Sequence, residues 1–149
     1  MDWEIKQVNL AEKEHPHFVS AIKLDGLLFG KAHACHLPGE IMTKHRPTLF
    51  VALSENEVVG FKLGYERKPG HYYSWMGGVD PDHRGRGIAR ALMEAQHSWL
   101  KSGGYKGLRT HTKNQWQEMI ILNLKCGFQI IGTFTDDEGD TKVIMEKTL

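Results

Sequence analysis

The stretch from Tyr72 to Trp99 limits the possible folds more than any other part of the chain. Tyr72 to Val79 has the aromatic-rich character of a strand. Asp80-Pro81-Asp82-His83 forms a turn, and a helix is expected to begin near Gly85 or Gly87. Ile88, Leu92, Ala95 and Trp99 then recur at steps of four, three and four, which builds one buried helical face. Lys101 and Gly103-Gly104 give a stop signal, and Gly107 to Thr112 reads as the next strand. A helical crossover of this length permits a parallel connection between the two strands, and such connections are right-handed. The chain is therefore expected to be α/β with a mixed sheet.

The loop inside this unit is chemically unusual. The first turn of a helix carries unpaired N–H groups and favours acids, yet Arg84, Arg86 and Arg90 gather here, and Glu94 is the nearest acid within the helix. Cations at the positive pole are unfavourable unless an anion neutralises them. Gly85 and Gly87 clear the side chains that would keep such an anion from the backbone. A phosphate or pyrophosphate satisfies both requirements. A nucleotide P-loop would need Gly-Lys-Ser/Thr, which is absent. A dinucleotide fold would need a small residue where Arg90 stands.

The remaining segments follow from the same signals. Trp3 to Val8 reads as a short strand, and Ala11 to Leu28 has mixed helical periodicity through Phe18, Ile22 and Leu24. Gly30 to Arg46, rich in Gly, His, Pro and Lys, is expected to be a mobile or substrate-facing segment. Thr48 to Leu53 and Val58 to Tyr65 form strands about a turn at Ser54 to Glu57, and Lys68-Pro69-Gly70 breaks the chain again. A second helix is expected from about Gln115 to Lys125, with Gly127 in the position after its end. Phe128 to Phe134 and Lys142 to Lys147 close the fold as an antiparallel hairpin.

Composition excludes several classes of protein. A length of 149 residues without a linker or repeat fits a single domain over 1–149. A net charge of +1 argues against nucleic acid as the main partner. No run approaches the roughly 18 apolar residues of a membrane span. The opening Met1-Asp2-Trp3-Glu4 lacks a secretion signal, so the cytoplasm is expected. Cys35 and Cys126 match no zinc or redox spacing. His33, Cys35, His36 and His45 are competent ligand types without a metal-site spacing, so no native metal is expected.

Val79-Asp80-Pro81-Asp82-His83-Arg84-Gly85-Arg86-Gly87-Ile88-Ala89 resembles the acetyl-CoA motif of the GNAT N-acetyltransferase superfamily. The family pattern Arg/Gln-x-x-Gly-x-Gly/Ala is matched at Arg84, Gly87 and Ala89, and a Val-x-Pro precedes it. The resemblance runs from residue 48 to 149, through the Gly127-Phe128 pair, and residues 1–47 align with nothing. It implies a mixed, mostly antiparallel sheet with a central βαβ crossover and flanking helices. It also implies acetyl-CoA as co-substrate and an amine as acceptor, with direct attack in a ternary complex. Val79 would offer backbone groups to the pantetheine and the acyl carbonyl, and the amides of residues 84–89 would bind pyrophosphate. Homodimers are common in such families.

The pattern breaks at one position. The family often places a tyrosine five residues before the Phe of the Gly-Phe pair to protonate the departing thiolate, and here that residue is Asn123. Asn123 lies on the face of Trp116, Met119 and Ile120, where it would be satisfied by ligand or sit at a wet edge. Asn114 is a second candidate for the pantetheine arm, and its alternative reading is a helix N-cap. Gly77-Gly78 within the strand marks either a bulge or close ligand, or a small-residue contact under a helix. Glu66 is the first candidate for the base that frees the amine, and Asp80 the second. Tyr72, Tyr73 and Trp75 read as core. A non-catalytic acyl-CoA-binding module is the chief alternative, and a basic-loop RNA binder a weaker one.

Overall fold

The computed structural model describes residues 2–12 and 14–149; Met1 of the opening segment and Lys13 of the expected helical stretch lie outside the described residues. Twelve segments follow one another. They are β1 (Glu4–Val8), α1 (Pro16–Phe29), α2 (Lys31–Met42), β2 (His45–Ser54), β3 (Glu57–Lys68), β4 (His71–Val79), a short 3-10 turn (Pro81–His83), α3 (Ile88–Ser102), β5 (Gly107–Lys113), α4 (Gln117–Lys125), β6 (Gln129–Thr135) and β7 (Thr141–Thr148). The strands form one sheet in the order β1-β2-β3-β4-β5-β7-β6. Only β4 and β5 run parallel, joined through α3, and every other neighbour is antiparallel. The mixed, mostly antiparallel sheet with its central crossover is the architecture expected from the sequence.

The two faces of the sheet are covered differently. On one, Phe18, Ala21 and Leu24 of α1 and Leu37 and Ile41 of α2 bury against Leu49, Val51, Leu53, Phe61 and Leu63. On the other, Ile88 and Leu92 of α3 pack on Phe50, Ala52, Val59 and Val79. Met93 and Leu100 meet Tyr72, Leu108, Val143 and Met145 on that same side. Among the described residues no helix is long and apolar enough to cross a membrane.

The expectation for Gly30 to Arg46 is corrected. Gly30, at φ 102°, ends α1, and the chain re-enters a helix at once as α2. Ala34, Leu37 and Ile41 supply the inward stripe at helical spacing, while the exposed His, Lys and Gly residues between them, and Pro38 inside the helix, hide it. Two smaller corrections concern strand ends. β2 begins at His45, with an irregularity between His45 and Thr48 that absorbs Pro47, and β3 continues to Lys68.

Candidate active site

The motif loop is held by its own backbone and by Arg84. The His83 amide donates to the Asp80 carbonyl at 2.9 Å, and the His83 ring meets the Asp80 carboxylate at 2.7 Å. Arg84 Nε donates to the carbonyl of Val79 at 3.1 Å, tying the loop to the end of β4. Gly85 (φ 77°) and Gly87 (φ 82°) adopt left-handed conformations, and Gly87 is the residue immediately before α3. A Cβ at either position would meet nothing within 4 Å, so the loop faces open space. The Ala91 amide donates to the Gly87 carbonyl at 3.0 Å, which leaves the amides of Ile88, Ala89 and Arg90 as free donors at the positive end of α3.

The three arginines are not equivalent. Arg90 Nε donates to Glu94 at 3.0 Å along the helix surface, so its charge is already answered. Arg84 and Arg86 are exposed beside the free amides. Two cations, open glycines and an unpartnered helix start fit the pyrophosphate of a coenzyme.

Above the loop the sheet forks. β4 and β5 pair only at His71–Gly107, Tyr72–Leu108, Tyr73–Arg109 and Ser74–Thr110. The Thr110 hydroxyl donates to the Ser74 carbonyl at 3.0 Å, close to the point where the strands part. Beyond it β4 runs on to Val79 with β3, and β5 runs on to Lys113 with β7. The edges of the two diverging strands carry backbone groups without ladder partners, which a linear ligand can use.

The register shift on β4 sits at Trp75, between the Leu63–Met76 and Gly64–Ser74 pairs, and not at the paired glycines. A Cβ on Gly78 would lie 2.4 Å from Leu28 Cδ1 and 3.8 Å from Phe29, so Gly78 is the small residue beneath a helix. A Cβ on Gly77 would lie 2.9 Å from the Phe61 carbonyl oxygen.

The fork does not gather all the candidate residues. Val79 and the loop from Arg84 to Ala89 adjoin its open end. Glu66 pairs with Tyr72 on the closed side of the fork, and its carboxylate bridges His45 Nε2 at 3.1 Å. Asp80 closes the turn with His83. Asn114 is not a helix cap: α4 starts after Trp116, and the Asn114 amide instead donates to the Thr141 carbonyl at 2.9 Å. Asn123 does not lie at a wet edge. It is 2% exposed, and its amide points at the Thr112 hydroxyl at 3.4 Å and Met145 Sδ at 3.6 Å. Of the histidine-rich segment, His33 Nδ1 meets Asp25 at 2.6 Å, while Cys35 and His36 are exposed.

An aromatic row lies on the sheet face opposite α3. The Tyr73 ring packs edge-on against His111 of β5 at 5.0 Å, and His111 against Phe134 at 5.0 Å. Tyr65 meets Tyr73 and Trp75, each at 5.4 Å, and Lys44 Nζ sits 4.7 Å above Tyr65 and 5.1 Å above Trp75. Tyr72 is core as expected and half-buried Trp75 packs against the core on the α1–α2 side, whereas Tyr73 is only half-buried. Burial, reinforced by Arg109, Lys142 and Arg67, holds the His111 imidazole below its ordinary pKa, so it is neutral at pH 7. Burial, then Tyr65, pushes the Tyr73 phenol up to about 12, so it remains a hydrogen-bond donor. Sequence reasoning did not single out His111. Its alternation with Arg109 and Lys113 in the strand after α3 was the available signal.

No curated protein sequence matches the chain. Solved structures match it in fold. The IAA acetyltransferase from Bacillus cereus ATCC 14579 is 17% identical, covering 99% of each chain at a TM-score of 0.76. An aminoglycoside 6'-N-acetyltransferase complexed with coenzyme A is 14% identical, covering 97% of this chain and 96% of its own at 0.81. The NatC complex bound to Gag peptide and CoA contains a chain 15% identical, with 100% of this chain and 99% of that one covered at 0.83. The family profile described as "Acetyltransferase (GNAT) family" matches residues 22–128, beginning well before residue 48, where the resemblance first becomes legible in the sequence. An open glycine loop at a helix start, a forked parallel pair above it and this match over most of the chain lead to one conclusion: the chain belongs to the GNAT acetyltransferase family, whose members are acyl-CoA-dependent acetyltransferases.

Proposed function

We propose that the chain, acting as one domain, transfers an acetyl group from acetyl-CoA to a primary amine by direct attack in a ternary complex. The observation that carries this reading is the β4–β5 fork ending on the free amides of α3 and on Arg84 and Arg86. Those groups would hold the pyrophosphate, Val79 and the β4 edge would orient the pantetheine, and the thioester would lie in the fork. The amine would approach from the aromatic side. There His111, neutral at pH 7, is the better-placed base than Glu66, and Tyr73 can donate a hydrogen bond to a bridging water. No covalent enzyme intermediate is required.

A thermal melt with acetyl-CoA, CoA, ATP and NADH in parallel tests the reading, repeated on Arg84→Ala/Arg86→Ala. A ligand at about 100 times its Kd adds roughly 2.7 kcal/mol, which raises Tm by several degrees. A rise with the two coenzyme A species alone, lost in the double variant, is expected. No rise with either would remove acetyl-CoA from the reading. A second reading, a non-catalytic acyl-CoA sensor, draws on the burial of Asn123, whose amide cannot protonate a thiolate. Release of free thiol from acetyl-CoA by the wild-type protein would exclude it.

A further inference from the structure

The α3 side of the fork contains an ammonium that the functions above do not use. Lys62, in the middle of β3, pairs with Gly77 of β4. Because Gly77 has no side chain, the lysine stem crosses β4 there, with Lys62 Cδ 3.5 Å from where a Cβ of Gly77 would stand. This point lies beyond Ser74, where β4 and β5 have already separated. The Lys62 charge is felt electrostatically by Cys126, at the end of α4, and by His97 of α3. Lys147 of β7 reaches the same space and donates to His97 Nδ1 at 3.0 Å, while the β2 neighbour of Lys62 is the uncharged Phe50. The lysine stem therefore enters the α3 side of the sheet where β4 and β5 have parted, the side to which α4 brings Asn123.

A half-buried lysine on this inner face, with no ion pair to a carboxylate among the described residues, is less well solvated than one on the surface. We propose that Lys62 is the general acid of the reaction, its ammonium delivering a proton to the sulfur as the acetyl carbonyl–sulfur bond breaks, a role the Asn123 amide cannot fill. The inference rests on the acetyl-CoA reading above. In the balanced step the amine lone pair forms the C–N bond, and the amine proton passes to His111. The tetrahedral intermediate then collapses with C–S cleavage, and the Lys62 proton moves to sulfur. Free thiol leaves, and solvent reprotonates the neutral lysine. Burial, opposed only in part by Cys126, lowers the lysine to about 8. A free thiol titrates near about 8.5, so the transfer is close to thermoneutral.

The test compares wild type with Lys62→Met and Lys62→Arg by three readouts. These are the thermal shift with CoA, acetyl-CoA hydrolysis from pH 6 to 10 followed by thioester absorbance, and the thiol pKa of bound CoA followed by thiolate absorbance. CoA should stabilise all three proteins. Lys62→Met should lower kcat about 100-fold, abolish the alkaline limb near pH 8 and raise the bound-thiol pKa by roughly one unit. Lys62→Arg should keep the low thiol pKa while remaining slow, because a guanidinium does not release its proton. The arginine variant decides the matter should the methionine one not fold. An alkaline limb unchanged in either variant, or a bound-thiol pKa unchanged in Lys62→Met, would overturn the assignment of Lys62 and leave the coenzyme site standing. If wild type shows no thermal shift with CoA, the acetyl-CoA reading falls as well.

Discussion

His97 should make this protein acid-sensitive by an amount the structure sets. The ring is 8% exposed on the inner side of α3, with Lys147 donating to Nδ1 and Lys62 nearby. Burial first, then Lys147 and Lys62, depress it from 6.5 to about 3. The unfolded chain therefore takes up a proton as pH falls through 6.5, while the folded chain resists until about 3. Stability supplied by this neutral histidine is complete above 6.5 and is lost progressively between 6.5 and 3. The whole interval corresponds to about 5 kcal/mol, and the part between pH 7 and 5 to about 2 kcal/mol. In a domain of this size the smaller figure shifts Tm by about 5 °C. Urea unfolding of wild type and His97→Gln at pH 7, 6 and 5 isolates this contribution, because other carboxylates and histidines cancel in the comparison. Glutamine retains an acceptor for Lys147 without titrating. The variant should lose roughly 2 kcal/mol less than wild type between pH 7 and 5. Parallel losses in the two proteins would refute the reasoning.

Other consequences can be measured separately. His111→Gln should lower kcat/KM about 100-fold or more and remove the acid limb, which in wild type lies below pH 6.5 because the imidazole is depressed; a retained acid limb would assign the base elsewhere. Gly64→Ala would place a Cβ 2.7 Å from both the Tyr72 ring and the Tyr73 carbonyl oxygen, so it should cost about 1–3 kcal/mol in denaturant titration while the CoA thermal shift survives. An unchanged midpoint would mean that β3 and β4 can part there freely.

What could be read from sequence was whatever is encoded locally. The arginines and glycines of the loop announce open backbone and anion affinity within six residues, and the structure gives Gly85 and Gly87 the positive φ of an open turn. The inner face of α3 is likewise periodic enough to be found. α2 escaped notice because its apolar stripe is interrupted by polar residues and by Pro38, a residue that usually ends helices. The burial of Asn123 is hidden for a different reason. The polar partner that makes its burial tolerable, Thr112, lies on another element, and no spacing within α4 reveals it. The pairing of Tyr73 with His111 depends on the register of two parallel strands joined through a helix, which a pattern of residues does not specify.

The sheet itself divides the chemistry. The free amides at the start of α3, Val79 and Lys62 belong to the α3 side and the open fork, whereas Tyr65, Tyr73, Trp75 and His111 project on the opposite face. Proton removal from the amine and proton delivery to the sulfur are thus assigned to groups on opposite sides of a single strand pair, reached through the gap that opens after Ser74. The His111 imidazole is kept neutral by burial first, then by Arg109, Lys142 and Arg67, and burial likewise lowers Lys62. On the proposed reading the fork would do more than admit a pantetheine arm: it would let one thioester be approached from both faces of the sheet.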